Sequence, residues 1–330
     1  TSALYRKGNN HASLSVFKDS GTWVDFGVDE SFKPFELLVQ LTAGNDSEIY
    51  KQVSTGKLKA GTVSAVKVAD HPTMEKTYPL DCLERLLPHY KFYTDKGYEK
   101  ETLKFYRAGL SMTGNAMSNR FVFPIFNDVG SIHGFNGRTV LKNDDKRPKW
   151  KLMGKKQNFV YPAYLETRNG TYPILESIEG KREVLLLESI GDSMRAFEHG
   201  WENNLVNFGA SISQITKCFL NRIDDPSVII GSNNDDHKGL DNTGLISAIK
   251  FYLDLTSILD VDKIKICLPV KNDFGDMDAD ADWEEWEAKL KKIREVNQLP
   301  QVLIWAEKLL KLGKIQKKYA PIIKKLKNGK

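Results

Sequence analysis

The sequence predicts an α/β protein: a parallel sheet flanked by helices at its centre, an α+β segment before it and a helical segment after it. Three observations predict this. From 182 to 270, short apolar runs alternate with amphipathic stretches, the strand, loop, helix rhythm that builds parallel sheets through crossovers. Ahead of them, apolar residues 121–126 and 132–135 flank a turn at Asn127-Asp128-Val129-Gly130, which reads as a hairpin. Beyond Trp283 the chain reads as helical to its end, apart from Pro300 and Pro321.

Taken in order, residues 1–60 are small and mixed. Leu14 and Val16 alternate with serines, then Trp23, Val24 and Phe26 follow, so a hairpin is expected before a helix over about 35–41. Residues 61–80 read as a linker, with small residues early and Pro72 and Pro79 later. Leu83, Leu86 and Leu87 mark a helical stretch that resumes at 102–106 after Gly97 and gives way to the hairpin. In the α/β region, strands are expected at 184–187, 205–208, 228–230 and 264–268, and helices at 193–199, 213–220 and 245–259. Right-handed crossovers would join the four strands into one parallel sheet.

Composition excludes several classes. Of the 330 residues, 41% are hydrophobic and 28% charged, which rules out a mostly disordered chain. No apolar run approaches the roughly 20 residues that span a bilayer, and the first eight residues lack the apolar stretch of a secretory signal. The chain starts at Thr1, without an initiator Met, and reads as trimmed. Cys82, Cys218 and Cys267 lie far apart, against both a disulfide scaffold and a CxxC zinc site. A soluble protein of a reducing compartment is expected, cytoplasmic and with no membrane partner. Charge is uneven: residues 287–330 hold 13 Lys/Arg against 3 Glu, a net of +10, while 1–286 sum to −5. A near-neutral body with a basic tail points to a polyanionic partner, although lysine-rich faces also serve only to solvate helices.

Functional groups of an open parallel sheet gather at the carboxyl ends of its strands. Here the first strand is followed by Glu188 and Asp192, the third by Asn233-Asn234-Asp235-Asp236, and the fourth by Asp273 and Asp276. Three loops of one sign would repel each other unless a cation sat between them. Hard oxygen donors suit Mg²⁺ or Mn²⁺, ions that serve phosphoryl transfer. Any one such loop reads equally as helix caps and turns; three at one edge do not.

These residues resemble a known family. Glu188-Ser-Ile-Gly-Asp192 after an apolar strand is similar to the Glu-x-x-x-Asp element of a Toprim domain. Asn233-Asn234-Asp235 sits where that fold has Asp-x-Asp, with Gly244 as the glycine that opens the next helix. Lys271-Asn272-Asp273-Phe274-Gly275-Asp276-Met277 resembles a segment of phage-type primases. Upstream, three further segments resemble the polymerase core of DnaG-type primases: 96–103 (beginning Lys96-Gly97-Tyr98), 120–125 (Arg120-Phe-Val-Phe-Pro124-Ile125) and 134–138 (Gly134-Phe-Asn136-Gly137-Arg138). Lys149-Trp150-Lys151 falls where the family has a Lys-Tyr pair. The resemblance spans about 80–280 with the motifs in the right order.

The chain also departs from that pattern. Asn233 replaces the first acid of Asp-x-Asp, and 236–243 are inserted before Gly244; a second register would use Asn234 and Asp236 with Gly239. Residues 13–16 and 23–28 resemble the zinc ribbon that precedes the primase core. However, Asp25 and Val28 stand where cysteines would be, so no zinc is expected. The implied division is a degenerate zinc-ribbon-like domain at 1–60, a linker at 61–80, a primase N-terminal subdomain at 81–180, a Toprim catalytic subdomain at 181–282 and a basic helical segment at 283–330.

The resemblance implies an enzyme that makes RNA primers from NTPs on single-stranded DNA, leaving an RNA primer/DNA hybrid, with a replicative helicase as partner. It assigns Glu188 and Asp235 as catalytic. Mg²⁺ or Mn²⁺ would be held by Glu188, Asp192, Asn233, Asp235, Asp236, Asp273 and Asp276. Arg120, Asn136, Arg138, Lys149 and Lys151 would contact template or nucleotide. A Toprim nuclease and a non-catalytic DNA-binding subunit of a replisome are the alternatives. The acidic run 276–287 has spacing close to an EF-hand loop but carries Ala281 in place of the turn glycine. Trp283 and Trp286 read as core, and His237 as solvated.

Overall fold

The computed structural model describes residues 14–17, 22–25, 32–43, 76–112, 116–141, 148–209, 211–235 and 241–328. They fall into two compact units, Thr1–Glu75 with Leu220–Asp224, and Lys76–Phe219 with Asp225–Lys330. In the first, β1 (Leu14–Phe17), β2 (Thr22–Asp25) and β3 (Lys33–Pro34) form an antiparallel sheet in that order, followed by α1 (Phe35–Ala43). Leu14, Trp23 and Leu38 make its small core, and the Trp23 indole N–H donates to the Pro34 carbonyl at 2.8 Å. The expected hairpin and helix are both present. Most of the expected linker, up to Glu75, lies outside the described residues.

The second unit opens with a 3₁₀ turn at Leu80–Arg85, where a longer helix was expected, then α2 (Lys91–Thr94) and α3 (Lys100–Phe105). An antiparallel sheet follows, ordered β4 (Gly109–Ser111), β5 (Arg120–Phe126), β6 (Ile132–Thr139) and β7 (Trp150–Met153). Strand β5 is buried along its whole length. It tolerates Pro124 because β4 pairs with it only as far as Val122, leaving that side of Pro124 without a ladder to complete. Tyr93, Phe121 and Phe123 pack at 4.8–5.6 Å, Tyr93 edge to face on Phe123 and the other two pairs tilted, so α2 is tied to the sheet through aromatic rings.

Helix α4 (Pro173–Lys181) leads into the parallel region: β8 (Glu183–Leu187), α5 (Ile190–Glu198), β9 (Asn204–Val206), α6 (Gln214–Arg222), β10 (Ser227–Gly231), α7 (Thr243–Leu255) and β11 (Ile264–Ile266). The sheet order is β11-β10-β8-β9 and every pairing is parallel. Val184 to Leu187 and Val228 to Ile230 are all buried, the continuous apolar run expected of strands covered on both faces. Three helices close the chain: α8 (Asp280–Arg294), α9 (Leu299–Lys311) and α10 (Ala320–Lys327). Pro300 and Pro321 sit in the first turns of α9 and α10, so they start helices rather than interrupt one. Trp283, Trp286 and Leu290 of α8 pack with Leu185, Leu187 and Ile229, which makes both tryptophans core, as expected.

Candidate active site

Because the strands run parallel, their ends share one edge. Strand β8 hands on Glu188, β10 hands on Ser232 and Asn233-Asn234-Asp235, and the loop after β11 carries Asp273. Burial pushes the Glu188 carboxyl above the usual range, and the charges of Asp235 and Asp273 add to this; the Ser232 hydroxyl and the Asn233 backbone partly offset it. One oxygen of Glu188, Oε1, is buried without a hydrogen-bond partner. Asp273 is likewise raised by burial and by Asp276, while its Oδ1 accepts the Asp276 N–H at 2.9 Å.

Asp192 is 2% exposed. It closes a capping box at the start of α5: Oδ2 accepts the Ser189 N–H at 2.9 Å and the Ser189 hydroxyl accepts the Asp192 N–H. Its Oδ1 accepts the Gly275 N–H at 3.0 Å, which ties the loop after β11 to the loop after β8. Burial, reinforced by Asp273, pushes this carboxyl up to about 7.

The loop after β10 is fixed from α7. Asn242 caps that helix, accepting the Leu245 N–H at 2.9 Å, and Thr243 Oγ1 donates to Asp235 Oδ2 at 2.6 Å. A Cβ on Gly244 would fall inside the Asn233 carbonyl group, so only glycine lets the helix begin against this loop. Asp236, Gly239 and His237 lie outside the described residues.

A basic face from the antiparallel sheet looks onto this edge. Lys149 and Arg138 pull the Asp273 carboxyl down against its burial. Arg138 lies over Trp150 and Phe92 at 5.3 and 5.9 Å, and the Lys96 ammonium lies over Phe92 at 4.7 Å. Lys96 is lowered by burial and then by Arg138 and Lys149, while Asp276 and Asp273 oppose that. Lys151 is half-buried on β7 opposite Gly137.

Two of the expected contact residues are buried. Arg120 is 4% exposed and donates to the carbonyls of Gly137, Pro148 and Lys149, so its guanidinium braces the sheet and the approach to Lys149. Asn136 is 7% exposed in the middle of β6, with Oδ1 unpartnered.

A clasp that the sequence motifs do not mark joins the two faces. Arg195 of α5 donates to the carbonyls of Gly97 at 3.0 Å and Lys96 at 3.1 Å, and pairs with Glu198 at 2.9 Å. Glu198 accepts the Glu99 N–H at 2.8 Å, and the Arg195 guanidinium lies 4.2 Å from the Tyr98 ring centre. Helix α5 thus holds Lys96 with one end and Gly275 with the other. The spacing of Asp192, Arg195 and Glu198, three residues apart on one helix face, was the available signal.

Among the described residues, no three His, Cys, Asp or Glu side chains come close enough together to hold a metal ion. The donors at the edge nevertheless fit a divalent cation chemically. They are hard oxygens, Glu188 Oε1 is unpartnered, and Glu188, Asp235 and Asp273 repel one another in a way that a cation would relieve. The EF-hand-like run does not: Lys271 binds its Asp278 and Asp282 at 3.1 and 2.7 Å.

No protein-family model matches the chain. It is 29% identical over 100 residues to the DNA primase of Lactococcus lactis, covering 30% of this chain and 15% of that protein. It is 26% identical over 115 residues to the DNA primase of Listeria innocua, covering 34% of this chain and 17% of that one. The match therefore spans about a sixth of the length of these curated relatives. Among solved structures, the RNA polymerase domain of Mycobacterium tuberculosis primase DnaG aligns at a TM-score of 0.49 and 14% identity, over 66% of this chain and 78% of that one. Over about a third of its length the chain is therefore similar in sequence to these bacterial DNA primases.

Proposed function

We propose that this chain is the catalytic core of a primase, which joins ribonucleotides from NTPs into short RNA on single-stranded DNA by metal-assisted nucleotidyl transfer. One observation carries the reading: Lys96, Arg138 and Lys149 face Asp273 and Asp276, on the edge that also carries Glu188 and Asp235. Fixed cations for template and triphosphate thus stand beside oxygen donors for a divalent ion.

Glu188 and Asp235 would hold Mg²⁺ or Mn²⁺, with Asn233, Asp273 and Asp276 on the same edge and Asp236, next in sequence to Asp235, as a further candidate donor. Such an ion would supply charge neutralisation for the triphosphate and the leaving pyrophosphate and would lower the pKa of the attacking 3′-hydroxyl. Glu188, raised by burial, suits the acid–base role at that hydroxyl. Asp192 acts through Gly275, holding the Asp273 loop in place. Residues 1–60 would be the degenerate zinc-ribbon-like domain, 81–180 and 181–282 the two catalytic subdomains, and 283–330 a basic helical appendage. A helicase partner and action in the cytoplasm belong to the same reading.

The test is incubation with single-stranded DNA, Mg²⁺ or Mn²⁺ and labelled NTPs, alongside Glu188→Gln. Short RNA made by the parent and reduced by about 10²-fold or more in the variant is expected. Shortened DNA would instead mean a nuclease. Asn233, an uncharged amide at a position where the family has an acid, favours a second reading as a non-catalytic DNA-binding subunit. That reading predicts DNA binding without product, and no product from Asn233→Asp.

A further inference from the structure

The last part of the chain carries a charge that the catalytic reading does not use. Residues 308–330 contain nine lysines and no acidic residue, so the remaining 307 residues carry a net −4 within the total of +5. Lys314 pairs with Asp241 and Lys327 with Glu307. Lys308, Lys311, Lys317, Lys318, Lys324 and Lys325 are exposed and form no ion pair among the described residues.

Two of them, Lys311 and Lys324, line a groove between α9 and α10 together with the Lys327–Glu307 pair, Leu310 and the buried Ile323. Lysines from two helices therefore converge on one groove. The hairpin is also anchored to α7, the helix whose first turn holds Asp235: Lys314 grips Asp241 just ahead of that helix, and Tyr319 bonds Asp254 near its end.

What the surface lacks narrows the ligand. Single strands are held by aromatic rings on which bases stack. On α9 and α10, Trp305 is half-buried with the Lys308 ammonium over its ring at 5.6 Å, and Tyr319 just ahead of α10 is 2% exposed. No fully exposed ring stands there to receive a base, while the lysines can receive phosphates. We infer that α9 and α10 form a docking surface for the sugar–phosphate backbone of double-stranded nucleic acid, on the same unit as the carboxylate edge. This goes beyond the primase reading by naming where a duplex rests.

The experiment compares the full chain with a Lys308→Gln/Lys311→Gln/Lys324→Gln/Lys325→Gln variant, which spares both ion-paired lysines. Binding of a labelled RNA–DNA hybrid and of a single strand with the same number of phosphates is measured against salt. Loss of four phosphate contacts should weaken hybrid binding about tenfold or more near 0.1 M salt. It should also flatten the log–log salt slope by about 3, with a smaller change for the single strand. The matching Lys→Arg variant should bind as the parent does, and both variants should melt with the parent. An unchanged hybrid slope or an equal loss for the single strand would overturn the inference. Primer synthesis by the parent chain separates the two readings: its absence, with lysine-dependent hybrid binding intact, would sink the enzyme and leave the docking surface standing.

Discussion

Asp192 is a carboxyl group that the fold hydrogen-bonds well and solvates badly. Two backbone N–H groups serve its oxygens, yet burial and the neighbouring Asp273 push it up to about 7. Its folded pKa lies above its unfolded value near 3.9, so the fold favours the protonated form. The stability this contributes is complete below the unfolded value and is lost as pH rises through about 7. Without divalent ions, the protein should therefore melt at a lower temperature at pH 8 than at pH 6. Asp192→Asn should shrink that difference. Thermal melts in a chelator check this, and a difference of full size in the variant would show that other groups carry it.

At the scale of elements, α5 is the part on which both faces of the site depend. Its Arg195–Glu198 pair is 4% and 5% exposed, so removing one partner strands a buried charge. Arg195→Met should cost about 3–5 kcal/mol, and Arg195→Met/Glu198→Gln distinctly less, as read from urea midpoints. Equal losses in the two would mean that the Lys96 and Gly97 carbonyl contacts dominate over the pair. The sequence made the parallel strands legible because Val184 to Leu187 and Val228 to Ile230 are unbroken apolar runs, and only strands covered on both faces need them. It also marked Gly244, where the helix starts against a backbone carbonyl. It did not show that Arg120 and Asn136 are buried in the sheet, since polarity alone does not tell an exposed contact from a buried brace. It missed the clasp for a different reason: the Arg195 partners are main-chain carbonyls, which have no letter in a sequence.

Over the whole molecule, charge is divided by location. Acidic groups crowd one edge of the parallel sheet, fixed cations of the antiparallel sheet face them, and the C-terminal hairpin carries a surplus of lysines. The division sets opposite charges face to face at the site, while like charges crowd at the carboxylate edge, where a divalent ion would be welcome, and along the lysines of the hairpin, where a polyanion would be. The grip of α5 also bears on how the chain folds. Arg195 reaches Gly97 across 98 positions and Asp192 reaches Gly275 across 83. Contacts so distant in sequence repay their loop-closure entropy only after the nearer pairings of each sheet exist. Assembly of the site should thus be a late event in folding and an early loss on partial opening. In native-state hydrogen exchange, the Gly275 amide should open at a lower free energy than the amides of Leu185 and Ile229 in the sheet. Equal protection at all three would mean that the site and its sheet form a single cooperative unit.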